Sequence, residues 1–122
     1  MTSLAALLAA GLMLSAAPTA ALNRAETSFD TISAKLFEMR VPLCTAQPTQ
    51  HLTAQCLDDV RAAAMKASYI GEELGYLKTT TDSRDAKQAT AQSIKSDWDG
   101  LQQELIRIQE QYGSAQIAKN GP

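Results

Sequence analysis

Three runs of apolar residues at a sustained 3.5-residue period limit what this chain can fold into. The first is Leu22, Ala25, Phe29, Ile32, Leu36 and Met39. The second is Cys56, Val60, Ala63, Ala67, Ile70, Leu74 and Leu77. The third is Ala91, Ile94, Trp98, Leu101, Leu105, Ile108, Tyr112 and Ala115. A straight α-helix turns every 3.6 residues, so a seam that keeps the shorter period belongs to helices packed at a shallow left-handed angle. The expected fold is all-α: an antiparallel, coiled-coil-like three-helix bundle with helices over 22–40, 50–78 and 82–118. Alanine at 21 residues, valine at two and aromatics at 5% point the same way, because a β-sandwich needs far more β-branched and aromatic side chains. With 122 residues the chain makes one domain.

The breaks fall between the seams. Pro42 and Pro48 are expected to stop the first helix and precede the second. Residues 78–83 form a polar turn in which Thr81, Asp82 or Ser83 can cap the third helix. Asn120-Gly121-Pro122 is a stop signal.

Folding the second and third helices about a turn between Thr80 and Thr81 sets Ile70 against Ala91, Ala67 against Ile94 and Ala63 against Trp98. Val60 then meets Leu101, and Cys56 meets Leu105. The first helix pairs Phe29 with Ala63, Ile32 with Val60 and Leu36 with Cys56, and Leu22 reaches only Ile70. It is therefore expected to be a short helix on a longer hairpin. A slip of one heptad satisfies the same pattern, so periodicity alone does not select this register.

Residues 1–21 carry no charged side chain and contain eight of the alanines. Their apolar stretch, Leu4 to Leu14, is too short to cross a bilayer before Pro18 interrupts it. Thr19, Ala20 and Ala21 suit signal-peptidase cleavage, so the segment reads as a signal peptide, with an uncleaved apolar anchor as the alternative. The chain is expected in a periplasm or outside the cell, with no stable membrane span after processing. Cys44 and Cys56 would meet oxidising conditions there and read as a structural disulfide. Eleven residues separate them, which is not the C-x-x-C spacing of redox enzymes.

Chemistry is sparse. A net charge of −2 and a pI near 5.3 leave no basic stripe for nucleic acid. His51 is the only imidazole, and no C-x-x-C-H or Glu-x-x-His motif is present, so neither a metal nor another cofactor is expected. The pairs Asp58-Asp59 and Glu72-Glu73 diverge by about 100° on a helix and do not converge on one point. Catalytic residues are not expected. Trp98-Asp99-Gly100 is a W-x-G and Tyr69-x-x-x-Glu73 a Y-x-x-x-E. Their order is the reverse of that in the secreted helical hairpins that use both motifs, and no assignment follows. Leu52-Thr53-Ala54-Gln55 is one residue short of the L-T-x-x-Q of periplasmic helical chaperones. Gly71-x-x-x-Gly75 encloses Glu72 and Glu73, so it is no membrane dimer motif.

In the expected register the hairpin tip, 71–90, projects beyond the first helix. Glu72, Glu73, Leu74, Tyr76, Leu77 and Lys78 then form an apolar patch with a charged rim, the candidate surface for a protein partner. The opposite end, with Tyr112, Ala115 and Ile117, ranks second. The expected function is non-enzymatic protein binding, as an adaptor, inhibitor or subunit of a cell-envelope or secretion assembly. A holdase-type chaperone and a self-assembling homo-oligomer are the alternatives.

Overall fold

The computed structural model describes residues 18–120, with side chains as far as Gly113. Most of the segment read as a signal peptide therefore lies outside the described residues. Three helices follow one another: α1 Thr19–Thr45, α2 Gln50–Thr79 and α3 Arg84–Asn120. The all-α three-helix architecture is as the three seams require. The core is built from them, with Phe29, Val60, Ile70, Leu74, Ile94, Leu101, Ile108 and Tyr112 buried.

The first helix is not short. It has 27 residues against 30 for α2, and it runs through Pro42 to Thr45. A proline inside a helix leaves the carbonyl four residues earlier without its N–H partner. Here that residue is Glu38, and both Glu38 and Pro42 are exposed, so water is at hand for the unpaired group. Leu43 and Cys44, just beyond, are buried and hold the last turn in place. Closure comes later: the Gln47 side chain donates from Nε2 to the Leu43 carbonyl (2.9 Å), and Pro48 follows. Pro48 is the effective stop.

The other caps are local. Thr49 caps α2 by accepting from the Leu52 N–H (3.1 Å). Of the three candidates before α3, Ser83 is the cap, its Oγ accepting from the Ala86 N–H (3.2 Å). Accordingly α3 begins at Arg84 rather than at 82.

The register also departs from expectation, by about two helical turns along α1. Cys56 meets Cys44 and not Leu36, at a Cα–Cα distance of 5.4 Å in a disulfide. Phe29 lies by Gly71 rather than Ala63: a Cβ on Gly71 would stand 3.8 Å from the Phe29 Cβ. Farther along, Lys78 Nζ pairs with Glu26 at 3.1 Å. α1 thus covers the hairpin tip, and Leu74 and Leu77 are buried. Because Cys44 stays helical, the disulfide fixes this register and excludes the one expected from pattern alone.

Interhelical closeness follows side-chain size. α1 and α2 pack over the longest strip, α2 and α3 over a shorter one, and α1 and α3 touch least. Ala25, Ala63, Ala64, Ala67 and Gly71 are buried and small, so α1 and α2 approach until Ser33 Oγ donates to the Ala64 carbonyl (3.0 Å). Trp98 of α3 is half-buried and meets Phe29 of α1 edge to face, with ring centroids 5.4 Å apart. In the expected register Ala63 faces both rings, so Phe29 and Trp98 share a layer there. That pairing of α1 with α3 is kept, and it is α2 that is displaced against both, with Gly71 in place of Ala63 beside Phe29.

Candidate functional site

The two ends of the bundle differ in how they are held. At one end the disulfide joins α1 to α2, and the buried Tyr112 donates from its hydroxyl to Asp59 Oδ2 at 2.6 Å. Burial first, then the hydrogen bond to Asp59, pushes the Tyr112 phenol up to about 12. Arg107 Nη1 lies 3.5 Å from the same Asp59 oxygen, and Gln47 Nε2 also donates to the Tyr112 carbonyl at 3.0 Å. Tyr112 is thus covered by its own chain, with Gln47 of the short 46–49 connection among its partners. The side chains of Ala115 and Ile117 lie outside the described part.

Toward the other end α2 and α3 separate enough to leave an open groove of about 450 Å³. Its walls are Tyr69, Glu72, Glu73 and Tyr76 of α2, and Ala89, Thr90 and Ser93 of α3. The α3 wall is low because its side chains are small. The α2 wall is high: Tyr69 is 53% exposed and Tyr76 39%, large rings held in water rather than in the core. Tyr76 donates from its hydroxyl to Asp82 in the turn, which fixes that ring across the end of the groove.

Glu73 is the unusual residue. It is 8% exposed, the one charged residue among those described that is buried. Its Oε1 is fully enclosed and has no hydrogen-bond partner, and the same holds for Oδ2 of Asp97 on α3. No lysine or arginine among the described residues lies within ion-pair distance of either. Burial is the largest cause of a Glu73 carboxyl pushed from 4.5 up to about 7. Asp97 raises it further by hydrogen bonding and by its charge, while the Ser93 hydroxyl works in the opposite direction.

The six residues expected to bind a partner are therefore divided. Glu72, Glu73 and Tyr76 come together in the groove. Leu74 and Leu77 face the core beneath α1, and Lys78 is committed to Glu26. Tyr69, Ala89, Thr90, Ser93 and the neighbouring Asp97 were missed. A sequence signal for the α2 wall exists: Met65, Tyr69, Glu72 and Tyr76 repeat at 4-3-4, a second seam parallel to the core seam. The low wall on α3 has no such signature, since Ala and Ser read as ordinary helix surface.

His51 is exposed in the first turn of α2. Among the described residues no group of His, Cys, Asp and Glu could hold a metal ion, and no helix is long and apolar enough to cross a membrane. No protein-family model matches the chain, and no curated protein or solved structure matches it either.

Proposed function

We propose that the protein is a non-enzymatic binding module exported to an oxidising compartment, where it serves as an adaptor, inhibitor or subunit of a larger envelope or secretion assembly. The observation that carries this reading is the groove between α2 and α3, walled by two half-exposed tyrosines over a buried Glu73 whose Oε1 has no hydrogen-bond partner. Rings held in water add little to the fold, whereas tyrosine is favoured at protein contacts because it offers a large apolar face with a polar tip. The Cys44–Cys56 disulfide is compatible with an oxidising compartment. An enzyme would need positioned acid, base and nucleophile groups, and beyond the Ser93 hydroxyl beside Glu73 the groove is lined by carboxyls, phenols, one threonine and one alanine, with no imidazole, thiol or basic group.

The test is photo-crosslinking from position 76 in the native host, with a photoreactive residue in place of Tyr76. One discrete hetero-adduct, lost when Ser93→Trp fills the groove, is the expected result. A homodimer adduct would replace this reading with self-assembly, for which the 65–69–72–76 spacing is suited. Many diffuse adducts with unfolded clients would favour a holdase. No adduct from folded, exported protein would overturn the reading.

A further inference from the structure

We infer that the groove takes a cationic side chain, the lysine or arginine head of a partner protein, seated against Tyr69 and Tyr76 with Glu73 as its counter-ion. This rests on the binding-module reading and specifies the chemistry of the partner.

Three independent features converge on a cation. Glu73 is more than nine-tenths buried, lines the groove, and has an enclosed oxygen with no partner from its own chain. An unpaired buried carboxyl destabilises the fold, and an incoming ammonium or guanidinium relieves that by charge-assisted hydrogen bonding. The two tyrosines supply the second feature. Seven residues apart on one helix, they stand about 10 Å from each other along the axis, with Glu72 and Glu73 between them. Aromatic faces beside a carboxylate attract cations and cover the alkyl stem of a lysine or arginine. The third feature is the lining. Of its seven residues two are acidic and none is basic, so nothing opposes a positive group on entry.

The facing groups are accounted for. α3 presents Ser93 and Asp97 to Glu73, and its own helix presents Glu72. Glu26 and Asp30 of α1 lie instead against Gly75 and Gly71. All four of these charged neighbours are acidic, and the missing complement is positive. A protein-borne side chain is favoured over a free amine because the groove opens to solvent, leaving room for the chain that carries the head group.

The experiment is an amide NMR titration of the full disulfide-bonded protein with N-acetyl-lysine amide, N-acetyl-norleucine amide and the free diamine putrescine, followed by a short lysine-bearing peptide. Saturable shifts at Tyr69, Glu73, Tyr76 and Ser93 are expected with the lysine amide and not with its uncharged norleucine analogue. The peptide should bind more tightly than putrescine, and Glu73→Gln should weaken both lysine ligands by about tenfold or more. Equal shifts from norleucine, or none from lysine in large excess, would overturn the inference. Tighter binding of putrescine would overturn its assignment to a protein partner. Crosslinking separates the two claims: if position 76 captures its partner undiminished in the Glu73→Gln protein, the groove reading stands and the cation falls. If Ser93→Trp also leaves that adduct intact, the groove reading itself falls.

Discussion

Glu73 of α2 and Asp97 of α3 meet at the helix interface as two carboxyl groups, and each keeps one enclosed oxygen without a hydrogen-bond partner. Elsewhere among the described residues, three ion pairs join neighbouring helices. Lys66 pairs with Glu104 at 3.4 Å, Lys78 with Glu26 at 3.1 Å, and Arg107 with Asp59 at 3.5 Å. At the floor of the groove two carboxyls meet with no cation between them, and the energetic consequences can be measured.

The folded state holds the Glu73 proton up to about pH 7, against an ordinary 4.5 in the unfolded chain. Below 4.5 both states are protonated and no difference arises. Between 4.5 and 7 the unfolded chain releases its proton first, so stability falls as pH rises, and above 7 the full deficit of about 3 kcal/mol is present. Glu73→Gln removes the titrating group. Urea unfolding should find it more stable than the parent by about 3 kcal/mol at pH 8, with little gain at pH 4.

Tyr112 should ionise well above the ordinary range of a phenol. Its hydroxyl is buried and bonded to Asp59, which holds the phenol up to about 12. An ultraviolet tyrosinate titration should show one step near pH 12 that Tyr112→Phe abolishes. The same substitution removes a hydrogen bond to a charged acceptor, and denaturant unfolding should register a loss of about 1–2 kcal/mol.

The disulfide carries more than the closure of a short loop, since it fixes which turn of α1 faces α2. Replacing both cysteines by serine removes about 3 kcal/mol in the chain-entropy account. It also leaves the heptad seams free to slip by one repeat. The expected result is lower thermal stability, together with broadened amide signals at Phe29 and Gly71, which would lose each other as neighbours in the slipped register.

Trp98→Ala should be milder than a truncation in the fully buried core. The indole is half-buried and its specific partner is the edge-to-face Phe29, so a loss of about 2–3 kcal/mol is expected from equilibrium unfolding. Its fluorescence reports on the contact between α1 and α3, the narrowest in the bundle.

The architecture was legible in the sequence because a 3.5-residue period is a global property, spread over many positions and robust to any one of them. Register was not, because each layer of the seam is chemically similar to the next, and a choice among them needs a unique pair. Cys44 and Cys56 were that pair. Reading Pro42 as a helix stop took Cys44 out of the helix and with it the one constraint on register. The exposed tip followed from that error, and so did the placement of Leu74 and Leu77 on its surface. Glu72, Glu73 and Tyr76 were reached all the same, since they share the tip with those leucines on another face. Asp97 was recognisable only as a solvated helix charge, and its place beside Glu73 depends on the slip between α2 and α3. Ser93 and Ala89 carry no signal by type, as their role is to be small.

A carbon-13 titration of the Glu73 side-chain carboxyl tests most directly whether the groove floor is a buried, unpaired acid. The midpoint should lie near 7 in the free protein and fall when the lysine amide is added, as a bound cation stabilises the ionised form. A midpoint at the ordinary 4.5, unmoved by lysine, would mean that Glu73 is solvated and that the groove holds no site for a cation.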